Sequence, residues 1–330
     1  MRYVSMKMVF RTIEDMYFPQ NPVNTFRGAM GYALKRISCF QRKNAEKYAC
    51  NSCNASSRCA YALCYETNKS HIVTGNASNL KTFEMPHLMN IDAGFPGNTL
   101  IKAGEKFSFS IRLFGTAVSV TPNLIVAVQN AGEHGFKNVR ASLVQIIDET
   151  TGKTIWSFEN DSLFLPETTH LKVSEPDLSI DEKCELTLKF VTPTAFKDAR
   201  TGGITKEPEF ERIIGSLMRR YTIFEATEGR RLDWNFSKIS ETAHQVSISG
   251  MNIEPVSWKR YSTRQNQKIP ITGVKGTVRY TGPVLPFIEL LNAGEIIRCG
   301  RSITFGQGRI SVTQIRHMGN RDEFTGFITE

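Results

Sequence analysis

Five of the seven cysteines lie close together in the first part of the chain, at Cys39, Cys50, Cys53, Cys59 and Cys64. The Cys50-x2-Cys53 pair has the spacing with which two thiolates bind one tetrahedral metal ion, and Cys39 and Cys59 would complete four ligands. Cys64 is the alternative to Cys59. The polar residues between these cysteines offer little core, which argues against cysteines that only fill space. The spacing therefore favours a structural metal site, with zinc preferred to an iron–sulfur cluster.

A glycine-rich segment near the C-terminus has the composition of a phosphate-binding loop. Gly300, Gly306 and Gly308 lie between a short predicted helix and the last predicted strand. Glycine allows a positive φ and a close approach to the backbone amides, which can then face a phosphate. Positive charge around this loop would come from Arg298, Arg301 and Arg309. The alternative is a glycine-rich turn that binds no ligand.

Basic residues are concentrated in segments 1–69, 256–288 and 298–321, and the formal net charge of the chain is +9. Such segments suit a polyanion, because each Lys or Arg set against a phosphate releases a condensed counterion. Two aromatic residues of the second segment, Trp258 and Tyr261, are candidates for stacking on bases. The candidates for phosphate contact in that segment are Lys259, Arg260, Arg264, Lys275 and Arg279.

Histidine is the side chain best suited to acid–base chemistry near neutral pH. His134 is the first candidate, because it lies in a glycine-containing turn between a predicted helix and strand, with Lys137 beside it. The first predicted helix carries no histidine, and its only titratable non-basic side chain is Tyr32. If no histidine serves, Tyr32 with Arg27 and Arg36 would give slower, mostly electrostatic catalysis.

Alternation and helical periodicity predict two successive β-α-β-β-α-β halves, the pattern of tandem ferredoxin-like (RRM-like) α+β domains. The first domain covers residues 1–160 and contains the cysteine-rich metal-binding insertion at 39–64. The second covers residues 184–330 and contains the glycine-rich loop. The acidic stretch 161–183 is predicted to be a linker or hairpin. Three strands are expected between the helices of the second half, near residues 244–250, 255–263 and 273–281.

No stretch of the chain approaches about 18 consecutive apolar residues, so we expect no transmembrane helix and no membrane partner. The first 15 residues carry too many charges for a secretory signal. We therefore expect a cytoplasmic protein, in which the cysteines would not form a disulfide framework.

The motifs and their order resemble the RAMP superfamily of CRISPR proteins, in the branch of repeat-processing endoribonucleases with an N-terminal cysteine insertion. The family's glycine-rich loop usually has a further glycine where this chain has Arg298, and many relatives carry a histidine on or beside the first helix. Besides the loop, the resemblance rests on the segments Phe26–Leu34, Cys50–Tyr61, Thr192–Thr194, Arg279–Gly282 and Pro286-Phe287.

The resemblance implies an endoribonuclease that cuts CRISPR precursor RNA without a metal ion. In this family the 2′-OH upstream of the scissile phosphate attacks it, leaving a 2′,3′-cyclic phosphate and a 5′-OH. The expected partners are repeat RNA, the mature guide RNA and subunits of a CRISPR effector complex. The alternative is a non-catalytic RNA-binding subunit of such a complex, which the missing helix histidine favours. In either case Arg27 and Arg36 are expected to bind RNA together with the glycine-rich loop.

Overall fold

A computed structural model of the chain describes residues 1–40, 50–67, 71–72, 85–160, 162–197, 203–205, 207–262 and 266–318. Its contacts divide the chain into two compact units. The first unit comprises Met1–Leu171, Ile223–Arg231 and Thr304–Gly306, and the second comprises Lys172–Thr222, Leu232–Ile303 and Gln307–Glu330. The main division, after Leu171, lies inside the acidic segment 161–183, which was predicted to be a linker or hairpin.

The first unit contains eight strands and three helices within the described residues. The strands are β1 (Arg2–Thr12), β2 (Met16–Phe18), β3 (Met89–Ala93), β4 (Thr99–Ile101), β5 (Lys106–Phe114), β6 (Ala141–Asp148), β7 (Thr154–Ser157) and β8 (Thr169–His170). The helices are α1 (Pro22–Ser38), α2 (Ala60–Tyr65) and α3 (Thr121–His134).

The main sheet of this unit is antiparallel, in the order β3-β5-β1-β6-β7, with β8 paired to β1. β1 alternates as the sequence predicts, and Val4, Met6, Met8 and Phe10 are at most 1% exposed. Helix α1 follows β1, helix α3 precedes β6, and the two helices pack against each other. The central strand order β3-β5-β1-β6 with these two helices is the ferredoxin-like arrangement.

The second unit repeats that arrangement. Its elements are β9 (Cys184–Thr194), α4 (Phe210–Thr227), α5 (Phe236–His244), β10 (Ser247–Ser262), β11 (Gln267–Gly282), α6 (Ile288–Ile297) and β12 (Ile310–His317), with the last turns of α4 counted in the first unit. The sheet order is β10-β11-β9-β12, which repeats β3-β5-β1-β6 element by element. The predicted tandem ferredoxin-like α+β fold is thus confirmed. In the described part of the chain no helix is long and apolar enough to cross a membrane.

The strands predicted near 244–250 and 255–263 are wrong as separate elements, because β10 runs without interruption from Ser247 to Ser262. Pro255 lies inside it, opposite Val274 of β11. β10 lies at the edge of the described sheet, which is where strands tolerate a proline. Strand β9 pairs with β11 only from Val274 to Gly282, so the hairpin continues beyond the sheet as a two-stranded ribbon.

Gly132, near the end of α3, is required by the close approach of that helix to the sheet. A Cβ atom at this position would lie 2.5 Å from the carbonyl oxygen of Ala141 and 2.5 Å from Cε1 of Phe10. Both neighbours are buried and belong to the sheet, so neither can move aside easily. Gly132 thus sets how closely the last turn of α3 docks.

We expect Gly132→Ala to destabilise the protein by about 1–3 kcal/mol, because overpacking outweighs the higher helix propensity of alanine. Urea unfolding measures the change. Gly28→Ala is the matched control, since Gly28 is also helical but has no atom within 4 Å of an added Cβ. That variant should be neutral or more stable by up to about 1 kcal/mol. Equal stability of the two variants would contradict the packing argument.

Candidate active site

Helix α1 is fixed at its start and along its buried face. Asn21 caps it by accepting a hydrogen bond from the backbone N–H of Val23 at 3.1 Å, and Pro22 occupies the first turn. Phe26 is fully buried and stacks on Phe109 of β5, with ring centroids 4.2 Å apart. The opposite face of the helix is therefore turned to solvent.

Three of the predicted site residues meet on this exposed surface. The side chain of Tyr32 is 65% exposed. The Arg36 guanidinium, one turn further along α1, lies 5.9 Å from the centre of the Tyr32 ring. Nη1 of Arg36 is 2.9 Å from Nε2 of His134, which comes from the last residue of α3. His134 of α3 thus reaches the exposed face of α1, a helix that carries no histidine of its own.

The two hydrogen bonds of His134 define its tautomer. Nδ1 lies 2.8 Å from the carbonyl oxygen of Asn130, which can only accept, so Nδ1 carries the proton. Nε2 faces Arg36, which can only donate, so Nε2 presents a lone pair. This arrangement directs the Nε2 lone pair of the imidazole toward Arg36. Asn130 was not predicted as a site residue, although its i, i+4 relation to His134 on one helix is the signal that identifies it.

The turn after His134 is anchored by Phe136. This side chain is fully buried and packs edge-on against Phe10 and Phe26, with centroids 5.2 and 5.4 Å away. Lys137 follows at φ 53° and is exposed, as is Arg140. The buried phenylalanine thus holds two cations at the surface close in sequence to His134.

Arg27 lies on α1 but not on this surface, so its predicted RNA contact is not supported. Its guanidinium is held between the rings of Tyr65 and Phe305, whose centroids are 4.8 and 4.9 Å away, all within the first unit. Burial lowers the pKa of Arg27 from its ordinary value. This arginine binds two aromatic rings of the protein and is not presented to a phosphate.

The glycine-rich loop is held by the protein's own hydrogen bonds. Gly300 donates its N–H to Oγ of Ser216 at 2.8 Å, and Gly308 donates to the carbonyl oxygen of Pro193 at 3.1 Å. Arg301 donates its backbone N–H to the carbonyl oxygen of Ala195 at 2.9 Å. These amides are engaged within the second unit, so the expectation that Gly300 and Gly308 present their amides to phosphate is wrong in this conformation.

Positive φ at the three glycines has a packing explanation instead. Gly300 and Gly306 are at φ 82° and Gly308 is at φ 79°. A Cβ at Gly308 would lie 2.1 Å from the carbonyl oxygen of Cys299, and one at Gly306 would lie 2.8 Å from Cγ2 of Val23. Both neighbours belong to the same unit as the glycine concerned. The glycines are thus needed for the course of the chain.

The three arginines of this loop divide into two kinds. Arg301 and Arg309 are exposed, as a phosphate contact requires. Arg298 is fully buried, with φ 65°, and Nη1 lies 3.4 Å from the carbonyl oxygen of Gln307. The predicted phosphate contact of Arg298 is therefore wrong in this structure, because its side chain fills the interior beneath the loop.

The basic residues of the long hairpin lie on β10 and β11. Lys259, Lys275 and Arg279 are exposed, and Arg260 is half-buried. The Arg279 guanidinium passes over Gly250 of the neighbouring strand, where a Cβ would lie 2.7 Å from it. Trp258 is half-buried with its indole nitrogen shielded from solvent. Arg264 and the side chain of Tyr261 lie outside the described residues.

Four cysteines of the predicted metal site line one cavity of about 340 Å³, together with Lys35 and Tyr61. They are Cys39, Cys50, Cys53 and Cys59. Cys64 does not line this cavity and is fully buried in α2, and burial raises the pKa of its thiol to about 12. Within the described ranges, no three of the cavity's cysteines have their sulfur atoms mutually within 4.8 Å.

The chain was compared with known families and structures. Residues 1–168, half of the chain, match a family model described as the AF_1859_N N-terminal domain, and residues 188–310 match the model of the CRISPR-associated endoribonuclease Cas6. No curated protein matches the chain.

Solved structures with a similar fold include several Cas6 proteins. One is a product complex of a Thermus thermophilus Cas6, with a TM-score of 0.55 at 12% identity over 94% of this chain and 99% of that one. A second Cas6 product complex gives a TM-score of 0.51 at 12% identity over 95% of this chain and 100% of that one. A partial Cas6-RT-Cas1–Cas2 complex gives 0.52 at 12% identity, over 99% of this chain and 48% of that one.

Each of the two units has the ferredoxin-like arrangement, and these Cas6 structures are similar to the chain in fold. The chain belongs to the family of the AF_1859_N N-terminal domain model, which covers half of it, and residues 188–310 match the model of the CRISPR-associated endoribonuclease Cas6.

The packing role of the glycine-rich loop is tested by Gly308→Ala. We expect a loss of roughly 2 kcal/mol or more in the free energy of unfolding, because the residue needs a left-handed conformation and its Cβ would clash with Cys299. Arg309→Ala is the control and should change stability by less than about 0.5 kcal/mol. A Gly308→Ala variant of unchanged stability that no longer binds RNA would instead support a phosphate-binding role for the amide.

Proposed function

We propose that this protein binds the repeat of CRISPR precursor RNA and cleaves it by internal transfer, with the 2′-OH as nucleophile and His134, Arg36 and Tyr32 at the reacting atoms. The observation that carries this proposal is the 2.9 Å contact between Arg36 Nη1 and the unprotonated Nε2 of His134 on an exposed surface. A base and a cation are the two groups that attack on a crowded phosphate needs most.

In this mechanism His134 is the general base. Nε2 takes the proton of the 2′-OH while the 2′-oxygen forms its bond to phosphorus. Arg36, released from Nε2 when RNA arrives, binds the non-bridging phosphate oxygens and stabilises their charge. The bond from phosphorus to the 5′-oxygen breaks, and Tyr32 donates the phenolic proton to that oxygen. The products are a 2′,3′-cyclic phosphate and a 5′-OH, and every role is filled by a side chain.

Lys137 and Arg140 support this assignment as phosphate ligands for the nucleotides that flank the cut. Both are exposed on the turn that Phe136 anchors, immediately after the proposed base. A cation three residues from the base can hold the RNA backbone without taking part in proton transfer. Lys137 is therefore a positioning group in this scheme.

The remaining RNA is proposed to bind the exposed cations of the second unit. These are Lys259, Lys275 and Arg279 on the hairpin and Arg301 and Arg309 on the glycine-rich loop. Lys275 and Arg279 lie on one face of β11 by their spacing. Side chains of this kind contact phosphates in any sequence, so recognition of the repeat must come from base contacts elsewhere.

We expect His134→Ala to slow cleavage of a CRISPR repeat RNA from the same genome by roughly 10²–10⁴-fold, because the base is lost. Single-turnover cleavage by excess enzyme, followed on denaturing gels, measures the rate. RNA affinity should change less than about tenfold, since His134 makes no backbone contact in this scheme. A 2′-deoxy nucleotide at the cut should abolish cleavage by the unaltered enzyme.

His170→Ala is the matched control, because His170 is also exposed but belongs to β8, outside the proposed site. It should cleave at the rate of the unaltered chain. Full activity of His134→Ala would remove the proposed mechanism. Tight RNA binding with no cleavage by the unaltered chain would instead favour the alternative, a non-catalytic RNA-binding subunit of a CRISPR effector complex.

We also propose that Cys39, Cys50, Cys53 and Cys59 bind a structural zinc ion. The support is their arrangement around one cavity and the chemistry of four thiols, which suits tetrahedral zinc. The ion would draw the sulfur atoms together and tie the end of α1 to the start of α2. Burial raises the pKa of the Cys50 thiol, and a bound zinc ion would offset this by holding the thiolate.

Cys53→Ser should lose one equivalent of zinc and unfold at a lower temperature. Elemental analysis and thermal melts measure the two effects. Cys64→Ser is the control for metal content, since Cys64 lies outside the cavity and should leave the zinc equivalent in place. Zinc should also be released as the pH falls, because protons compete for the thiolates. Purified protein with iron in place of zinc would point to the iron–sulfur alternative.

A further inference from the structure

Three potential metal ligands meet at one end of the second unit's sheet. Cys184 is the first residue of β9 and His317 is the last residue of β12, and the two are register partners on these antiparallel strands. Register partners project from the same face of a sheet, with Cβ atoms roughly 5 Å apart. Glu182 lies two residues before Cys184 and reaches the same face.

The ligand atoms are already close. Cys184 Sγ lies 3.6 Å from His317 Nδ1, and that nitrogen lies 2.5 Å from Glu182 Oε1. The three ligand atoms all lie within 4.8 Å of one another, and no other three His, Cys, Asp or Glu residues meet this condition in the part of the chain that the structure describes.

We propose that Glu182, Cys184 and His317 form a second zinc site, which clamps the end of β12 to the start of β9. Thiolate, imidazole and carboxylate are the three ligand types that zinc takes in proteins. The site is separate from the cysteines of the first unit and from the residues proposed for cleavage.

The distances suit a tetrahedral ion with little rearrangement. Zinc bonds of about 2.0–2.3 Å at tetrahedral angles place neighbouring ligand atoms about 3.5 Å apart. The sulfur-to-nitrogen distance of 3.6 Å already has this value. The Nδ1-to-Oε1 hydrogen bond would open by about 1 Å, as the proton between the two atoms is replaced by the ion.

The three ligands differ in how far they are exposed to solvent. Cys184 is fully buried, whereas the side chains of His317 and Glu182 are 37% and 52% exposed. An ion can therefore enter from the solvent side, and the fourth position faces water. Among the described residues β12 pairs with β9 alone, so a clamp at its last residue would resist fraying of that edge.

The experiment is a count of bound zinc per chain, by elemental analysis after the purified protein has been stripped with a chelator, reloaded with zinc and desalted. We expect His317→Ala and Glu182→Gln each to bind one equivalent less than the unaltered chain at limiting free zinc. Loss of one ligand should weaken zinc binding at this site by about 100-fold or more. Loss of a residue that only hydrogen-bonds to a metal ligand already weakens binding by about 10–100-fold.

Two controls separate this site from other effects. His244→Ala removes a similar exposed pair, with His244 Nδ1 2.9 Å from Glu211 Oε2 but no thiol nearby, and should leave the zinc count unchanged. Cys53→Ser should lose the other equivalent and keep this one. Absorption spectra of the protein loaded with cobalt in place of zinc give a second readout. His317→Ala should weaken the band from the single cobalt–thiolate bond at Cys184 and leave the bands of the four-cysteine site unchanged.

The proposal is overturned if Glu182→Gln and His317→Ala both bind as much zinc as the unaltered chain. Glu182 is exposed and precedes the strand, so its variant tests the site even if His317→Ala fails to fold. Normal cleavage by both variants is expected whichever way the zinc count falls, so a failure of the cleavage mechanism would not be mistaken for a failure of this site.

Discussion

The stacking of Phe26 on Phe109 is the contact on which the rest of the first unit depends. It fixes the rotation of α1 about its axis, and so determines which residues of that helix reach water. Phe10 and Phe136 join the same cluster, so the turn after α3 is held by the core that holds α1. Fully buried aromatic side chains contribute several kcal/mol each, and their geometry leaves little freedom. The elements that carry Arg36 and His134, whose side chains lie 2.9 Å apart, are thus fixed by one core.

The fold could be predicted from the sequence because its signals are local. Alternation in β1 and β5, the helical stripe of α1 and the glycines near the C-terminus each lie within one element. Two signals were misinterpreted or overlooked. Strand β10 was predicted as two strands, the second beginning at Pro255, but a proline is tolerated within this strand because it lies at the edge of the sheet. Helix α5 was not predicted, although Asn235 caps it by accepting from the N–H of Lys238 at 3.1 Å.

The candidate site could be predicted only in part, because its contacts join distant segments. His134, Tyr32 and Arg36 were each singled out by residue type, but the sequence gives no measure of the approach between Arg36 and His134, 98 residues apart. Two arginines were predicted to contact RNA but lie inside the protein. Residue type favours exposure for Arg27 and Arg298, whereas the structure places them against two aromatic rings and beneath a loop. Cys184 and His317 are 133 residues apart in sequence, so no local pattern could predict their contact.

The internal hydrogen bonds of the glycine-rich loop bear on how this motif is used to recognise relatives. Its amides hold the loop to Ser216, Pro193 and Ala195. Its glycines are needed because a Cβ at their positions would clash with neighbouring atoms. A glycine motif that the packing of the fold requires is expected in any chain with this fold, whether or not that chain has a nuclease site. Detecting the motif in a genome therefore identifies the scaffold, and assigning catalysis to a newly found member requires the helix surface in the other half of the molecule to be inspected as well.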